Sequence, residues 1–494
     1  MKTRLRLDPS LKRAGSPLAK QIAASVISEI QRGRLAPGVL VPSSRALAED
    51  LGVHRNTVLA AYEDLVSQGY LQTEKARGTF VSPEVKKQSL ELGPRTRRTV
   101  PLDLPASNSR AVTVVKRGEL PLLGGLPDLR ELPVEALYRA YRANLRRDPT
   151  LLDYGEAEGH PRLLAATISY LRSQRGVVTT EERILLTRGS QQALFLAAKA
   201  LLGTKRTIAV EAAGYPPAWD AFRLAGAELA PVAIDEDGIV VSALEALVRR
   251  QPIAAVYVTP HHQYPTTVSL SGPRRLELLR LAERERFVII EDDYDHEFHF
   301  EGRPIFPLAR EDDAEIVLHV GTFSKIFAPG LRIGYAVGRS ELIERMTRAR
   351  LAIDRQGDRA LEFTLACLME EGEFEAHVRR MFRLCEARRS VFYETMEREL
   401  GAVLSFEKAR GGLAVWARVR PDICVEDWVK RAKAERVLVQ PGSWFWFDSS
   451  HSSAPQADVP FMRLGFSRLN EAEIVEAIRR LKRALPSRGK SRRA

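Results

Sequence analysis

Thr322-Phe323-Ser324-Lys325, followed by Pro329-Gly330-Leu331-Arg332, puts one lysine in a hydroxyl-rich loop with an arginine seven positions on. About thirty residues earlier, the apolar run 287–291 leads into Asp292-Asp293-Tyr294-Asp295. An amine at one strand end and a carboxylate at the preceding one are what pyridoxal phosphate requires of a protein. The lysine condenses with its aldehyde. The acid keeps the pyridine nitrogen protonated, so that the ring can take up electrons. Alone, such a lysine would be an ordinary surface residue; the acid before it makes the pair chemical.

These residues need a scaffold that brings strand ends together. From about residue 119, apolar stretches predict strands over 184–187, 207–210, 254–259, 287–291, 315–320 and 332–337, with helices over 191–202, 216–225 and 272–286. That alternation predicts an α/β domain with a mostly parallel sheet and ligands at the strand C-terminal ends. Further motifs fall at those ends. Thr187-Arg188-Gly189-Ser190-Gln191-Gln192 joins a strand to a helix start, whose free N–H groups suit a phosphate. Gly214-Tyr215-Pro216 offers an aromatic ring for stacking. Pro260-His261-His262-Gln263-Tyr264-Pro265-Thr266 pairs two histidines, but no third ligand stands at a metal-binding spacing, so no metal is expected.

The chain has 494 residues and is 45% hydrophobic, enough for about three domains with a large core. Cys367, Cys385 and Cys424 have neither metal spacing nor the number for a disulfide framework, which predicts a reducing cytoplasm. No apolar run approaches the roughly 20 residues of a membrane span. The formal charge of +12 is uneven. Residues 1–118 carry 20 Lys and Arg against 10 Asp and Glu, and the remainder 55 against 53. A basic head on a nearly neutral body predicts nucleic-acid binding, whose affinity comes mainly from phosphate contacts.

In that head, Leu18, Ile22, Val26 and Ile30 share one face of a helix over 18–31. Pro42-Ser43-Ser44 opens a second helix with a serine cap. Gly52 turns into a third over 54–68, with Val58, Tyr62, Leu65 and Val66 inward and Arg55, Asn56 and Thr57 in the first turn, where a recognition helix meets bases and phosphates. Residues 70–73 and 78–81 predict a two-stranded wing with 74–77 at its tip. Residues 83–118, with Lys86-Lys87, Arg97-Arg98 and several prolines, predict a flexible basic tether. Residues 486–494 read as a disordered basic tail. The predicted division is therefore a head over 1–82, a linker over 83–118, a body over 119–485 and the tail.

Pro42-Ser43-Ser44-Arg45, Leu51-Gly52-Val53-His54-Arg55-Asn56-Thr57-Val58 and Arg77-Gly78-Thr79-Phe80-Val81 resemble the GntR-type winged helix-turn-helix. The body resembles a fold-type I aminotransferase. Its ordered motifs are Tyr154-Gly155 with Gly159-His160-Pro161, Ser190-Gln191-Gln192-Ala193, Gly214-Tyr215-Pro216, Gln263-Tyr264-Pro265-Thr266, Glu291-Asp292-Asp293-Tyr294-Asp295 and Gly321-Thr322-Phe323-Ser324-Lys325. Together they resemble the MocR subgroup of GntR regulators. The resemblance implies a large mostly parallel-sheet domain, a smaller C-terminal α/β domain and an N-terminal winged helix. It implies Lys325 as the residue forming an aldimine with pyridoxal 5'-phosphate, Asp292 at the ring nitrogen, and Tyr294 at the ring hydroxyl, with Tyr264 nearby in place of the usual asparagine. It places Tyr215 on the ring and Gly189, Ser190, Gln191, Thr322, Ser324 and Arg332 around the phosphate. Arg463, in Met462-Arg463-Leu464, would grip an effector carboxylate in a bidentate pair. In the head it assigns Arg45, Arg55, Asn56 and Thr57 to double-stranded DNA, with Arg77 and Gly78 placing the wing. It implies a homodimer with each head docked over the other subunit's body.

Departures from the pattern carry expectations of their own. Thr267 replaces the usual glycine, so the turn there should differ. No basic residue follows Tyr215 closely, which leaves Arg223 as a candidate for a second carboxylate. Trp444-Phe445-Trp446-Phe447, before a Ser-rich stretch, could lid the pocket or lie on a dimer partner. Two functions fit: a regulator that senses an amine, an amino acid or pyridoxal phosphate through Lys325, or an active aminotransferase with an accessory DNA-binding head.

Overall fold

The computed structural model describes residues 17–75, 77–85, 114–302, 305–447 and 459–486. The expected tether (apart from its ends), the Ser-rich stretch after Phe447 and nearly all of the basic tail lie outside the described residues. The chain divides into two compact units, Met1–Val112 and Thr113–Ala494. No helix among the described residues is long and apolar enough to cross a membrane.

In the first unit, helices Leu18–Gln31, Ser44–Leu51 and Arg55–Ser67 pack around Ile22, Val26, Leu47, Val58, Ala61 and Leu65. Ser43 caps the second helix by accepting from the Ala46 N–H at 3.2 Å, and Gly52 ends it at φ 62°. The antiparallel strands Leu71–Glu74 and Gly78–Val81 form the wing. One expected core residue is misplaced: Val66 is 39% exposed, and Ala61, on the opposite flank of the stripe, takes the inward position.

The second unit is built on a seven-stranded sheet. Its order is Ile184–Thr187, Gly334–Val337, Val317–Thr322, Val288–Asp293, Ile253–Val258, Thr207–Glu211 and Glu228–Val232. Every neighbour pair is parallel except the two made by Gly334–Val337. Alternate residues point to opposite faces of a strand. Thus Tyr257, Ile290 and Leu318 pack under the helices Gly189–Leu201 and Pro216–Ala225, while Val256, Ile289 and Val317 pack under Val241–Arg250 and Gly272–Glu285. Both faces are covered, which explains the nearly unbroken apolar runs.

The C-terminal part forms a smaller layer. Leu404–Ser405, Ala414–Val419, Phe461–Gly465 and Gln440–Pro441 make an antiparallel sheet, covered by Glu373–Leu400 and Glu471–Arg483 around Trp428, Met462 and Ile478. The short strand Leu120–Pro121 pairs with Val437–Leu438, so the segment leading to Gly124 is fastened to this layer.

Two local expectations change. Arg332 does not begin a strand; it sits at φ 54° in the turn before Gly334–Val337. Thr267 takes φ 66°, so the turn keeps the left-handed conformation that glycine would favour, and a β-branched residue bears its cost.

Candidate functional sites

The pocket lies where the parallel strands end. Val288–Asp293 pairs with Val317–Thr322 so that Asp292 is opposite Val320 and Asp293 opposite Gly321. The loop carrying Lys325 therefore emerges beside Asp292. Alternation along the strand separates the acids. Asp293 turns to the buried Arg175, whose Nη1 is 2.5 Å from its carboxylate, and Arg175 also holds Glu297. That guanidinium, with His296, keeps the Asp293 carboxyl well below its usual range despite burial. Asp295 turns to His262, 2.8 Å from its Nδ1.

Asp292 faces the pocket, 4% exposed. Tyr257 donates its hydroxyl to one carboxylate oxygen at 2.8 Å; the other oxygen has no hydrogen-bond partner among the described residues. Burial pushes Asp292 up to about 6, against the pull of the Tyr257 hydrogen bond and of Lys325. Burial and the Arg463 charge bring Lys325 down to about 8, against the attraction of Asp292. In both residues desolvation outweighs their mutual attraction.

The expected phosphate residues gather at one edge. Gly189, at φ 74°, opens the helix Gly189–Leu201, and a Cβ there would lie 2.9 Å from the Arg332 guanidinium. Arg332 donates to the Arg188 carbonyl at 2.8 Å. Thr322 accepts from the Ser324 N–H at 3.1 Å, and the buried Ser324 hydroxyl has no partner among the described residues. Ser190 and Gln191 lie in the first turn of the helix. The Gln191 side-chain amide donates to the Pro217 carbonyl at 2.5 Å, and its main-chain N–H stands in the first turn of the helix.

Aromatic rings line the opposite side. Tyr215 meets Tyr264 edge-on at 5.2 Å between centroids, and Tyr264 meets Tyr294 at 5.9 Å. Tyr294 donates its hydroxyl to the His262 carbonyl at 3.0 Å, which leaves its oxygen as an acceptor. Arg463 is 1% exposed, stacks 4.3 Å from the Tyr264 ring centre, and has its Nε and Nη1 unpartnered among the described residues. Arg223 instead lies over Phe447 at 5.2 Å and pairs with Asp220. The aromatic run packs within its own chain: the Phe445 carbonyl accepts from Gly214, Phe447 donates to Ala212, and the Phe445 ring meets Tyr264 at 5.5 Å.

Two contributors escaped the sequence reading. Gly124 and Gly125 enter from the segment after Leu120–Pro121, some 200 residues before Lys325. A Cβ on Gly124 would lie 1.7 Å from Arg463 Nη1, and one on Gly125 would lie 3.3 Å from Lys325 Nζ. The Gly-Gly pair was a legible signal without an address. Tyr257, in mid-strand, carried no signal beyond its place in an apolar run.

In the head, Arg45, Arg55 and Asn56 are exposed at helix starts, and Thr57 is half-buried. Arg55 Nε donates to Ser44 at 3.4 Å, and the His54 ring caps its own helix by accepting from the Asn56 N–H at 3.3 Å. Tyr62 donates to the Pro42 carbonyl at 2.9 Å and so ties the third helix to the start of the second. Arg77 lies over the Phe80 ring at 4.9 Å, and Gly78 takes φ 96° at the wing.

Residues 124–481 match the family "Aminotransferase class I and II", and residues 18–81 match "Bacterial regulatory proteins, gntR family". The HTH-type transcriptional regulator TauR of Rhodobacter capsulatus is 33% identical over 490 residues, covering 95% of this chain and 96% of that protein. The probable rhizopine catabolism regulatory protein MocR of Rhizobium meliloti is 31% identical, covering 95% and 94%. Among solved structures, LysN, an α-aminoadipate aminotransferase from Thermus thermophilus complexed with N-(5'-phosphopyridoxyl)-L-leucine, is similar with a TM-score of 0.67 and 30% identity, over 74% of this chain and 92% of that one. The seven-stranded sheet with its antiparallel C-terminal layer is thus the fold-type I aminotransferase architecture, and the chain belongs to the MocR-type group of the GntR family, which joins a winged helix-turn-helix to an aminotransferase class I and II domain.

Proposed function

We propose that this protein is a DNA-binding transcriptional regulator whose aminotransferase-like unit holds pyridoxal 5'-phosphate and senses an amine, an amino acid or the cofactor itself. The observation that carries it is the union, in one chain, of a winged helix with exposed basic helix starts and a pocket in which Asp292, Lys325 and Arg463 present unmet polar atoms or a depressed pKa.

When bound, pyridoxal phosphate supplies an aldehyde and an electron-accepting ring. The residues present fit it. The unpartnered oxygen of Asp292 is placed to accept from a pyridinium N–H, and a protonated ring would bring the carboxylate back to its charged form. Lys325, near 8, holds a substantial neutral fraction at physiological pH and so presents a nucleophilic amine. Gly189, Ser190 and Gln191 at the helix start, with Thr322, Ser324 and Arg332, would hold the phosphate. Tyr215 would cover the face of the ring, and Tyr264 and Tyr294 would serve its hydroxyl. Arg463, with free N–H groups over Tyr264, selects a carboxylate on the incoming effector.

In the head, Arg45, Arg55, Asn56 and Thr57 meet the duplex, and Arg77 and Gly78 set the wing. The reading includes a homodimer, as the resemblance to MocR-type regulators implies. Two heads then read two half-sites. A DNA target and three cysteines without a disulfide framework support a cytoplasmic location. A ligand regulates only if it binds two states of the protein differently, and a ligand that competes for the Lys325 amine would provide such a difference.

The second reading, an active aminotransferase, is favoured by the completeness of the pocket. Visible absorption of the purified protein separates the two on titration with amino acids and amines. A spectral change that stops at the effector adduct, together with altered operator affinity, supports the sensor. Conversion to pyridoxamine phosphate that a keto acid reverses supports the transaminase and overturns the sensor.

A further inference from the structure

His261 and His262 follow the strand Ile253–Val258 and are 4% and 1% exposed. A third imidazole, which no local spacing could announce, comes from the loop after Val288–Asp293: one ring nitrogen each from His261, His262 and His299 lie within 4.8 Å of one another. The His262 Nδ1 faces a carboxylate oxygen of Asp295 at 2.8 Å; the tautomer that donates from Nδ1 to this carboxylate leaves Nε2 as the free ligand atom. That Nε2, both ring nitrogens of His261 and Nδ1 of His299 have no hydrogen-bond partner among the described residues. Leaving such groups buried and unmet is costly, and a ligand that meets them removes that cost. His296 packs against His261 at 4.6 Å, but its Nδ1 turns to Asp293 at 3.3 Å and stays outside the group.

We propose that His261, His262 and His299 form a three-imidazole site for a divalent transition-metal ion, zinc fitting best, with Asp295 orienting His262. A carboxylate behind a ligating histidine fixes its tautomer and raises its basicity, and imidazole nitrogens suit zinc above the harder cations. Two nitrogens on one zinc, at about 2.0–2.1 Å from it, stand about 3.4 Å apart in a tetrahedron; side-chain rotations of about an ångström close the group. His299 also lines an open cleft with Glu301, Arg410 and Trp446, which supplies an entry path and room for a fourth, water ligand.

The site has a place in the chain's working parts. His261 and His262 directly precede Gln263 and Tyr264, and the Tyr294 hydroxyl donates to the His262 carbonyl. A bound ion therefore clamps the loop carrying Tyr264 to the segment that follows Asp292 and Tyr294, and stiffens one wall of the pocket. The site itself stands independently of the cofactor reading.

The test uses the full-length protein without added histidines, stripped with chelator and titrated calorimetrically with zinc, then with cobalt(II) for its visible ligand-field bands. One ion per chain at micromolar affinity or tighter, with cobalt bands of tetrahedral intensity, is the expected result. His299→Ala and His261→Ala each weaken binding at least tenfold and keep the absorbance of bound pyridoxal phosphate. A wild-type chain that takes up no stoichiometric zinc overturns the site, as do folded variants that bind like wild type. Should the variants not fold, the wild-type titration and cobalt spectrum decide alone. Failure of the cofactor reading would show as absent cofactor absorbance with zinc uptake intact.

Discussion

The Tyr257 hydroxyl donates to one oxygen of Asp292 at 2.8 Å and leaves the other oxygen of that buried carboxylate without a partner among the described residues. A carboxylate half-satisfied in this way is costly on its own and well matched to a cationic N–H. The cost has a pH signature. Asp292 stands at about 6 in the folded chain against an ordinary 3.8, so between those values the folded state holds the extra proton and stability falls as pH rises. Above that window the buried charge costs on the order of 2–3 kcal/mol.

Asp292→Asn removes that charge at constant shape. The cofactor-free variant should gain thermal stability over wild type at pH 8 and roughly half as much at pH 5, while its affinity for pyridoxal phosphate falls at least tenfold. Melting curves at the two pH values, with and without cofactor, check this. An equal gain at both values would show that the Asp292 charge is not the source.

Lys325, lowered to about 8 by burial and by Arg463, should make cofactor uptake by the stripped protein pH-dependent. The rate should rise with pH and level off above about 8, as the neutral amine fraction saturates. Stopped-flow absorbance measures it; a rate still climbing toward pH 10 would mean an unperturbed amine. Lys325→Ala should lose the lysine-linked absorbance and keep basal DNA affinity. Retained absorbance would refute the assignment.

Gly124 and Arg463 make a paired prediction. A Cβ at 124 would fall 1.7 Å from Arg463 Nη1 and 2.9 Å from the Ala414 Cβ, so Gly124→Ala must displace the guanidinium. Overpacking of this kind costs about 1–3 kcal/mol. Arg463→Lys loses the two-pronged grip with little steric change. Both variants should bind pyridoxal phosphate, respond weakly to amino acids, and respond as wild type to amines lacking a carboxylate. Equal loss for both effector classes would rule out carboxylate selection by Arg463.

Arg55, exposed at the start of its helix and hydrogen-bonded to Ser44, is one of the residues proposed to contact the duplex. Arg55→Ala should weaken operator binding in a mobility-shift titration and leave the cofactor spectrum unchanged. A phosphate contact would also reduce the slope of affinity against salt by about one, whereas a base contact would relax sequence preference. Unchanged binding to the cognate operator would remove Arg55 from the interface.

What the sequence determined by itself was local. The apolar period of 18–31, the serine cap at 43, the strand runs and the residues at strand ends all act within a few positions, where side-chain spacing and backbone preference suffice. Lys325, Arg332 and the helix start at Gly189 could be found that way, as could the three acids after Glu291. Local pattern erred where packing chose between flanks, as at Val66 and Ala61, and where the backbone accepted strain, as at Thr267. The tertiary structure decided the rest. Strand alternation and the Arg175 charge sent Asp293 away and left Asp292 facing the pocket. A parallel sheet brought Tyr257 beneath that acid and His299 beside His261 and His262. The Gly124-Gly125 segment was carried across the chain to Arg463 and Lys325. Such contacts join residues tens to hundreds of positions apart, and no local spacing encodes which of them will meet.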